Sequence, residues 1–255
     1  MAKLHFGDHP FCARLVIFDK DGTLIDFTEL SAYYTVHAVE ALLEATQAHT
    51  RNEVHLRADL YAMLGYDTTT RRFDTQSPVL TAPWSTIYTL VAGVLYRHGW
   101  GWLSAELQVE RSFIPVIRQP LTREMIRPTA PLPALFRALQ DADVQIAVIT
   151  SDDRAPTLAT LDLLGVSEYV TFVAGADDPY PHKPAPEAIW AACQATGIDL
   201  AHTVMVGDST TDMLMAERAG VGLRVAVLTG LMDETVLAPH AHVVLNSIGE
   251  IQVVR

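Results

Sequence analysis

The 255-residue chain is poor in several features that mark particular classes of protein. It contains only two cysteines, Cys12 and Cys193, which are too few to form a disulfide framework. No apolar run approaches the roughly 20 residues that a membrane-spanning helix needs. The first ten residues also lack the long apolar stretch of a secretory signal. We therefore expect a cytoplasmic protein that does not enter a membrane.

Positive charge is also scarce in this chain. Lysine and arginine together number 18 against 30 aspartates and glutamates, which gives a formal net charge of −12. Because binding to a nucleic-acid backbone needs a basic face, this balance predicts no nucleic-acid partner. An acidic chain can still bind a small phosphate ester, since a metal ion and a few lysines reverse the field locally. The sequence leaves open whether the protein is a monomer or a homodimer.

Short buried strands and helices alternate in the second half of the chain. From about residue 129, apolar runs of strand length are followed by segments whose apolar residues recur at helical spacing. Repeated strand–helix units predict an α/β fold with a parallel sheet and right-handed crossovers. Such sheets bind ligands at the carboxyl ends of their strands. The predicted strands span residues 15–18, 144–149, 170–173, 203–206, 223–228 and 242–245.

A long, mainly helical stretch interrupts this pattern after the first strand. Apolar residues recur there at helical spacing, and no clear run of buried strand is present. The stretch is too long for a connecting loop. The sequence therefore predicts a core domain of residues 1–26 and 128–255, with an inserted helical domain of residues 27–127.

Two aspartates follow the first predicted strand. The apolar run 15–18 leads directly into Asp-Lys-Asp-Gly-Thr at positions 19–23. Two carboxylates so close together repel each other unless a cation or a division of labour relieves the repulsion. One of them can attack phosphorus while the other handles a proton. A calcium loop of the EF-hand type is excluded, because its twelfth position would be Leu30 rather than glutamate.

Three further polar motifs each follow a later predicted strand. They are Thr150-Ser151, Lys183 within His-Lys-Pro-Ala-Pro-Glu, and the pair Asp208 and Asp212 within Gly-Asp-Ser-Thr-Thr-Asp. In order, strand context and spacing, the four motifs resemble those of the haloacid dehalogenase superfamily, in particular its phosphatase branch, which includes phosphoglycolate phosphatases. The resemblance covers residues 12–26 and about 128–250, and the inserted segment by position only. It implies a Rossmann-like parallel sheet core with a helical cap.

The resemblance also implies a chemical role for each motif. Asp19 would attack phosphorus and form an aspartyl-phosphate. Asp21 would protonate the leaving oxygen and then activate the water that hydrolyses the intermediate. Thr150, Ser151 and Lys183 would bind the phosphate group, and Lys183 would also neutralise the nucleophile. The expected substrate is therefore a small phosphorylated metabolite.

Magnesium is the cofactor that the resemblance implies, since Mg²⁺ prefers oxygen ligands and keeps several waters. Asp19, Asp208 and the backbone carbonyl of Asp21 would bind it directly. Asp212 would hold Lys183 or a metal-bound water. A second interpretation of Asp212 is a carboxylate in the first turn of a helix, where the helix dipole favours negative charge.

The sequence departs from the usual pattern of these phosphatases at three places. Lys20 lies between the two aspartates, where an apolar residue is common, and we expect its side chain to point away from their carboxylates. Asp152 and Asp153 add negative charge beside the expected phosphate site, and we interpret them as a helix cap. His182 precedes Lys183 in place of a small residue, and we expect no role for it.

Asp21 favours phosphoryl transfer, because dehalogenases of the superfamily need no leaving-group proton and lack this second aspartate. A phosphatase is the leading hypothesis. One alternative is a phosphomutase of the β-phosphoglucomutase type, and another is a non-catalytic phosphate-ligand-binding or regulatory protein of the same fold. Substrate specificity would reside in the inserted segment, where we name Arg71, Arg72, His98 and Trp100 as candidate contacts.

Overall fold

A computed structural model of the chain describes residues 2–47, 53–74, 76–82 and 84–254. Contacts divide the chain into two compact units, one of residues 1–27 with 121–255 and the other of residues 28–120. The strands are β1 (Ala2–Phe6), β2 (His9–Ala13), β3 (Leu15–Phe18), β4 (Tyr66–Asp67), β5 (Arg72–Phe73), β6 (Gln145–Ile149), β7 (Val170–Ala174), β8 (Thr203–Gly207), β9 (Leu223–Val227), β10 (Val243–Leu245) and β11 (Ile251–Val254). The α-helices are α1 (Phe27–Thr46), α2 (Glu53–Leu64), α3 (Pro78–Thr81), α4 (Trp84–Arg97), α5 (Trp102–Gln108), α6 (Ile114–Ile117), α7 (Leu132–Asp141), α8 (Arg154–Leu164), α9 (Glu187–Thr196), α10 (Thr210–Ala219) and α11 (Glu234–Leu237).

A six-stranded sheet forms the centre of the first unit. Its order is β10-β9-β8-β3-β6-β7, and every neighbouring pair is parallel. All four residues of β3 are fully buried. A strand that is covered on both faces carries an uninterrupted apolar run rather than an alternating one, because both sets of its side chains are buried. Phe18 pairs with Val148 of β6 and with Val206 of β8, so the carboxyl ends of the three strands lie side by side. The predicted α/β fold with a parallel sheet is confirmed.

A second sheet in this unit was absent from the sequence prediction. Strand β1 pairs antiparallel with β2 on one side and with β11 on the other, which joins the two ends of the chain. Leu4 and Phe6 of β1 are fully buried, whereas Lys3 before them is exposed and His5 between them is half-buried. This alternation is the pattern of a strand with one buried face. The two residues Gly7 and Asp8 connect β1 to β2.

The second unit is helical and has an apolar core of its own. Helices α1, α2 and α4 each contribute buried residues spaced three or four apart, as expected for amphipathic helices. These include Val39, Leu42, Leu43, Leu56, Leu60, Leu64, Ile87, Val91 and Leu95. A two-stranded antiparallel sheet of β4 and β5 follows α2. Across the described ranges of both units, no helix is long and apolar enough to cross a membrane.

Candidate active site

The carboxyl end of β3 brings two aspartates together. Asp19 directly follows β3, and its backbone N–H donates to the Val206 carbonyl of β8 at 2.9 Å. Asp208 directly follows β8. Within the described part of the chain, one carboxylate oxygen from each of Asp19, Asp208 and Asp212 lies within 4.8 Å of the others. Parallel pairing of β3 with β8 thus concentrates negative charge at this edge of the sheet.

Lys183 bridges two of these carboxylates. Its Nζ atom donates to Asp19 Oδ1 at 2.5 Å and to Asp212 Oδ1 at 2.7 Å. The three side chains are 6%, 9% and 1% exposed, so the ammonium replaces water as the counter-charge of both carboxylates. Lys183 lies in the segment between β7 and α9, and this contact fixes that segment against the end of β3.

Asp212 is held by the start of α10 as well as by Lys183. Ser209 is the N-cap residue of α10, and its Oγ accepts from the Asp212 N–H at 3.2 Å. In return, Asp212 Oδ2 accepts from the backbone N–H and the hydroxyl of Ser209. This reciprocal capping box leaves Asp212 with protein partners on both oxygens. Its geometry therefore fits a residue that orients Lys183 better than a direct metal ligand.

Asp208 is enclosed by two glycines that no larger residue could replace without movement. A Cβ at Gly22 would lie 2.3 Å from Asp208 Oδ2, and a Cβ at Gly230 would lie 1.8 Å from the same atom. Gly22 also has a φ of +78°, a conformation that glycine adopts at little cost. The hydroxyl of Thr229 donates to the Gly22 carbonyl at 2.5 Å and so ties the two glycine segments together.

The electrostatics of this cluster favour a bound cation. Burial raises the pKa of Asp19 to about 7, with Lys183 opposing the rise and Asp212 adding to it. Burial and the neighbouring carboxylates raise the pKa of Asp208 to about 9. Burial alone would lower the pKa of Lys183, but the attraction of Asp19 and Asp212 outweighs it and raises that pKa. A set of carboxylate oxygens that resists ionisation without a counter-charge fits a hard divalent cation such as Mg²⁺.

The structure contradicts the expectation for Lys20. Its Nζ lies 3.0 Å from Asp21 Oδ2 and 2.7 Å from Asp152 Oδ2, and the Lys20 side chain is only 3% exposed. Lys20 lies two residues beyond the end of β3, so the strand rule that alternate side chains point to opposite faces no longer applies. Burial raises the pKa of Asp21, and the Lys20 ammonium opposes that rise.

The expected helix-cap role is confirmed for the position of Asp153 but not for a capping bond, and it is wrong for Asp152. Asp153 occupies the N-cap position of α8, but its side chain makes no capping hydrogen bond. The first N–H of that helix, from Arg154, instead donates to Asp177 Oδ1 at 2.7 Å. Asp152 directs its carboxylate to Lys20. Lys20 and Asp152, two of the departures from the usual pattern, therefore form an ion pair with each other.

Thr150 and Ser151 follow β6, next to the end of β3. Thr150 is buried, its N–H donates to the Ala174 carbonyl at 3.0 Å, and its Oγ1 accepts from the Asp152 N–H at 3.2 Å. Ser151 is exposed. Both residues line one small cavity together with Lys183, which places the predicted phosphate-binding residues around a common space.

The four candidate specificity residues lie in the helical unit. Arg71 is exposed with a φ of +56°, and Arg72 is exposed on β5. His98 Nε2 is 2.9 Å from Asp59 Oδ2, so this histidine already has a carboxylate partner. Trp100 is half-buried against the helical core. Their proposed contact with substrate stays a prediction.

Comparison with known proteins identifies the family. Residues 13–220 match the haloacid dehalogenase-like hydrolase family. The chain belongs to it. The suspected resemblance is thereby confirmed.

Among curated relatives, a phosphoglycolate phosphatase from Neisseria meningitidis is 35% identical over 112 residues, which cover 44% of this chain and 47% of that protein. The chain thus spans about half the length of this relative. Pyrophosphatase PpaX from Oceanobacillus iheyensis is 25% identical over 242 residues, or 93% of this chain and 94% of that protein. A solved HAD hydrolase of family IA from Entamoeba histolytica superposes with a TM-score of 0.60 at 18% identity, over 94% of this chain and 95% of that one. That likeness shows the shared fold.

Three residues of the site were missed by the sequence prediction. Ser209 carries the clearest signal, because serine followed three residues later by a carboxylate at a helix start indicates a capping box. Thr229 and Gly230 follow β9, yet neither belongs to a recognisable motif. Their importance arises from the approach of that loop to Gly22 and Asp208, which only the folded chain shows.

Replacing Gly230 by alanine should weaken the binding of Mg²⁺. The new Cβ would overlap Asp208 Oδ2, so the carboxylate must turn away, and the affinity for Mg²⁺ should fall about 10- to 100-fold, as for other changes that misorient a ligand. Titration calorimetry measures this loss. Gly93→Ala in α4 is the matched control, because a Cβ there meets no described atom within 4 Å beyond its chain neighbours and the backbone of its own helix. Equal Mg²⁺ affinity in both variants would contradict the prediction.

The pH dependence of the free energy of unfolding should show that ionisation of Asp208 destabilises the folded state. Its pKa is raised from 3.8 to about 9, so the folded state binds more protons than the unfolded state between these values, and stability falls as pH rises through this window. Urea unfolding is measured with a chelator at about pH 5 and about pH 8. The free energy of unfolding should fall less between these two pH values for Asp208→Asn than for the wild type. Added Mg²⁺ should restore wild-type stability most at the higher pH. Identical pH slopes for the two proteins would disprove this account.

Proposed function

We propose that this protein is a magnesium-dependent phosphatase that hydrolyses a small-molecule phosphate monoester through an aspartyl-phosphate on Asp19. The observation that carries the proposal is the bridge of Lys183 between Asp19 and Asp212, with Asp208 beside it. A carboxylate that bonds to a buried ammonium and adjoins a cation-binding set is suited to approach an anionic phosphate, because its charge is compensated. The family and the names of the relatives support the same activity.

The reaction divides into two displacements. In the first, a carboxylate oxygen of Asp19 bonds to phosphorus, the ester P–O bond breaks, and Asp21 gives its proton to the leaving oxygen. In the second, Asp21 takes a proton from water, the water oxygen bonds to phosphorus, and the bond to Asp19 breaks. Phosphate and alcohol leave, and both aspartates return to their starting states. Lys183, Thr150 and Ser151 would bind the phosphate oxygens in both displacements.

The carboxylates of Asp19 and Asp208 and the backbone carbonyl of Asp21 would hold Mg²⁺. When bound, the ion supplies positive charge that neutralises the phosphate and orients it. Asp212 keeps Lys183 in place, since its two oxygens bond to Lys183 and Ser209. This assignment gives every buried charge in the cluster a partner of opposite sign.

We further propose that the inserted helical segment, predicted at residues 27–127, determines substrate specificity. The core residues named above would then define the bond that is broken, and the insertion would define which ester is accepted. Phosphoglycolate and pyrophosphate enter the test because relatives carry those names. The phosphomutase and the non-catalytic binding protein are outcomes that the same test distinguishes.

A panel of phosphate compounds tests the activity. It should contain phosphoglycolate, pyrophosphate, several sugar phosphates and p-nitrophenyl phosphate, each with Mg²⁺ or with a chelator. We expect phosphate release from at least one ester with Mg²⁺ and none with the chelator. Isomerisation of a sugar phosphate without phosphate release would establish the mutase instead. Binding of a phosphate compound without turnover of any would establish the non-catalytic protein.

Asp19→Asn should abolish this activity and leave the fold intact. An amide is a poor nucleophile toward phosphorus, so turnover should fall by at least about a thousandfold. Asp162→Asn on the exposed face of α8 is a control with the same chemical change and should keep full activity. Mass spectrometry of acid-quenched wild-type protein should locate phosphate on Asp19. Phosphate trapped on another residue, or full activity of Asp19→Asn, would refute the mechanism.

A further inference from the structure

We propose that Lys20, anchored by Asp152, is a positioning residue that fixes the carboxylate of Asp21 for proton transfer to the leaving group. The inference rests on the proposed phosphatase activity and gives a role to two residues, Lys20 and Asp152, for which the family resemblance implies none. It is carried by a chain of ion pairs within the core unit. Lys20 Nζ is 3.0 Å from Asp21 Oδ2 and 2.7 Å from Asp152 Oδ2.

The exposure of the three side chains separates their roles. Lys20 is 3% exposed, whereas Asp21 is 26% and Asp152 is 49% exposed. The ammonium is therefore covered by protein and is engaged by the two carboxylates. Asp21 is the member of the chain that remains accessible to a substrate. Lys20 consequently acts through Asp21, and its ion pair with Oδ2 leaves Oδ1 to exchange a proton.

Backbone hydrogen bonds fix both Lys20 and its partner Asp152. The Lys20 carbonyl accepts from the N–H groups of Leu24 and Ile25 at 2.8 and 3.1 Å, so the turn after β3 closes around this residue. The Asp152 N–H donates to Thr150 Oγ1 at 3.2 Å, and its carbonyl accepts from the Ala176 N–H at 2.7 Å. The segments that follow β6 and β7 thus fix Asp152, Asp152 fixes the Lys20 ammonium, and the ammonium fixes the carboxylate of Asp21.

Fixed geometry matters for this step because a general acid must lie within hydrogen-bond reach of the leaving oxygen. A free aspartate beside a turn samples several rotamers, and only one of them directs its proton to that oxygen. An ion pair to one carboxylate oxygen selects a rotamer before substrate arrives. The benefit should be large when the leaving group needs a proton and small when it leaves as a stable anion.

Lys20→Met tests the proposal, because methionine is close to lysine in length and carries no charge. Phenyl phosphate and p-nitrophenyl phosphate provide substrates of similar shape, of which only the first has a leaving group that depends strongly on protonation. We expect kcat/KM of Lys20→Met to fall about 10- to 100-fold with phenyl phosphate, the range for a displaced reacting group. With p-nitrophenyl phosphate we expect a loss below about threefold, since little proton transfer is needed. Equal losses with the two substrates would overturn the proposal.

Further variants distinguish positioning from general destabilisation. Asp152→Asn should show the same substrate-dependent loss in weaker form, whereas Asp153→Asn, one residue further along and without a capping bond, should match the wild type. In an Asp21→Asn background, Lys20→Met should cause no further loss, because both changes remove one function. A further loss in that background would overturn the proposal.

Two outcomes separate this proposal from the one on which it rests. A wild-type protein that hydrolyses none of the panel compounds and neither phenyl ester would refute the phosphatase function, and the positioning role with it. The positioning role alone would be refuted if the wild-type protein hydrolyses both phenyl esters and the Lys20 and Asp152 variants lose kcat/KM equally on phenyl phosphate and p-nitrophenyl phosphate. Should Lys20→Met fail to fold by circular dichroism, the half-exposed Asp152→Asn carries the same comparison.

Discussion

The arrangement of this site depends on the neutralisation of carboxylates that parallel strands bring to one edge of a sheet. Asp19, Asp208 and Asp212 share a space in which all three would repel. Lys183 compensates Asp19 and Asp212 directly. Three carboxylates and one ammonium leave two negative charges when all are ionised, which matches a divalent cation. The segment that carries Lys183 and the start of α10 are held in place by the same requirement.

Lys20 likewise neutralises carboxylates in the turn after β3, those of Asp21 and Asp152. Asp21 needs a partner because burial disfavours its charge, and Asp152 would otherwise add uncompensated negative charge beside Thr150 and Ser151, the proposed phosphate-binding residues. One ammonium serves both carboxylates. Lysine at this position and aspartate after Thr150-Ser151 are therefore explained as a pair. Without Lys20, the carboxylates of Asp21 and Asp152 would both lack this counter-charge.

The sequence predicted the central sheet well because buried parallel strands have a local signature. Three or four consecutive apolar residues, followed directly or after one glycine by polar ones, marked β3, β6 and β8 and located the candidate site at their carboxyl ends. The small sheet of β1, β2 and β11 was missed, and the pairing of β1 with β11 joins Lys3 to Val254 across nearly the whole chain. The direction of Lys20 was predicted wrongly for the same reason: its partner Asp152 lies 132 residues away. Local patterns carry no information about such distant contacts.

The division of the chain into two units separates two kinds of constraint. All four motifs lie in the unit built on the parallel sheet, where charge compensation constrains Asp19, Lys183 and Asp208. The helical unit packs an apolar core of its own, and its sequence is governed mainly by helical spacing and volume. Exposed positions such as Arg71 and Arg72 escape both constraints. Variation at these positions would leave both the sheet chemistry and the helical core intact, as their proposed role in substrate specificity requires.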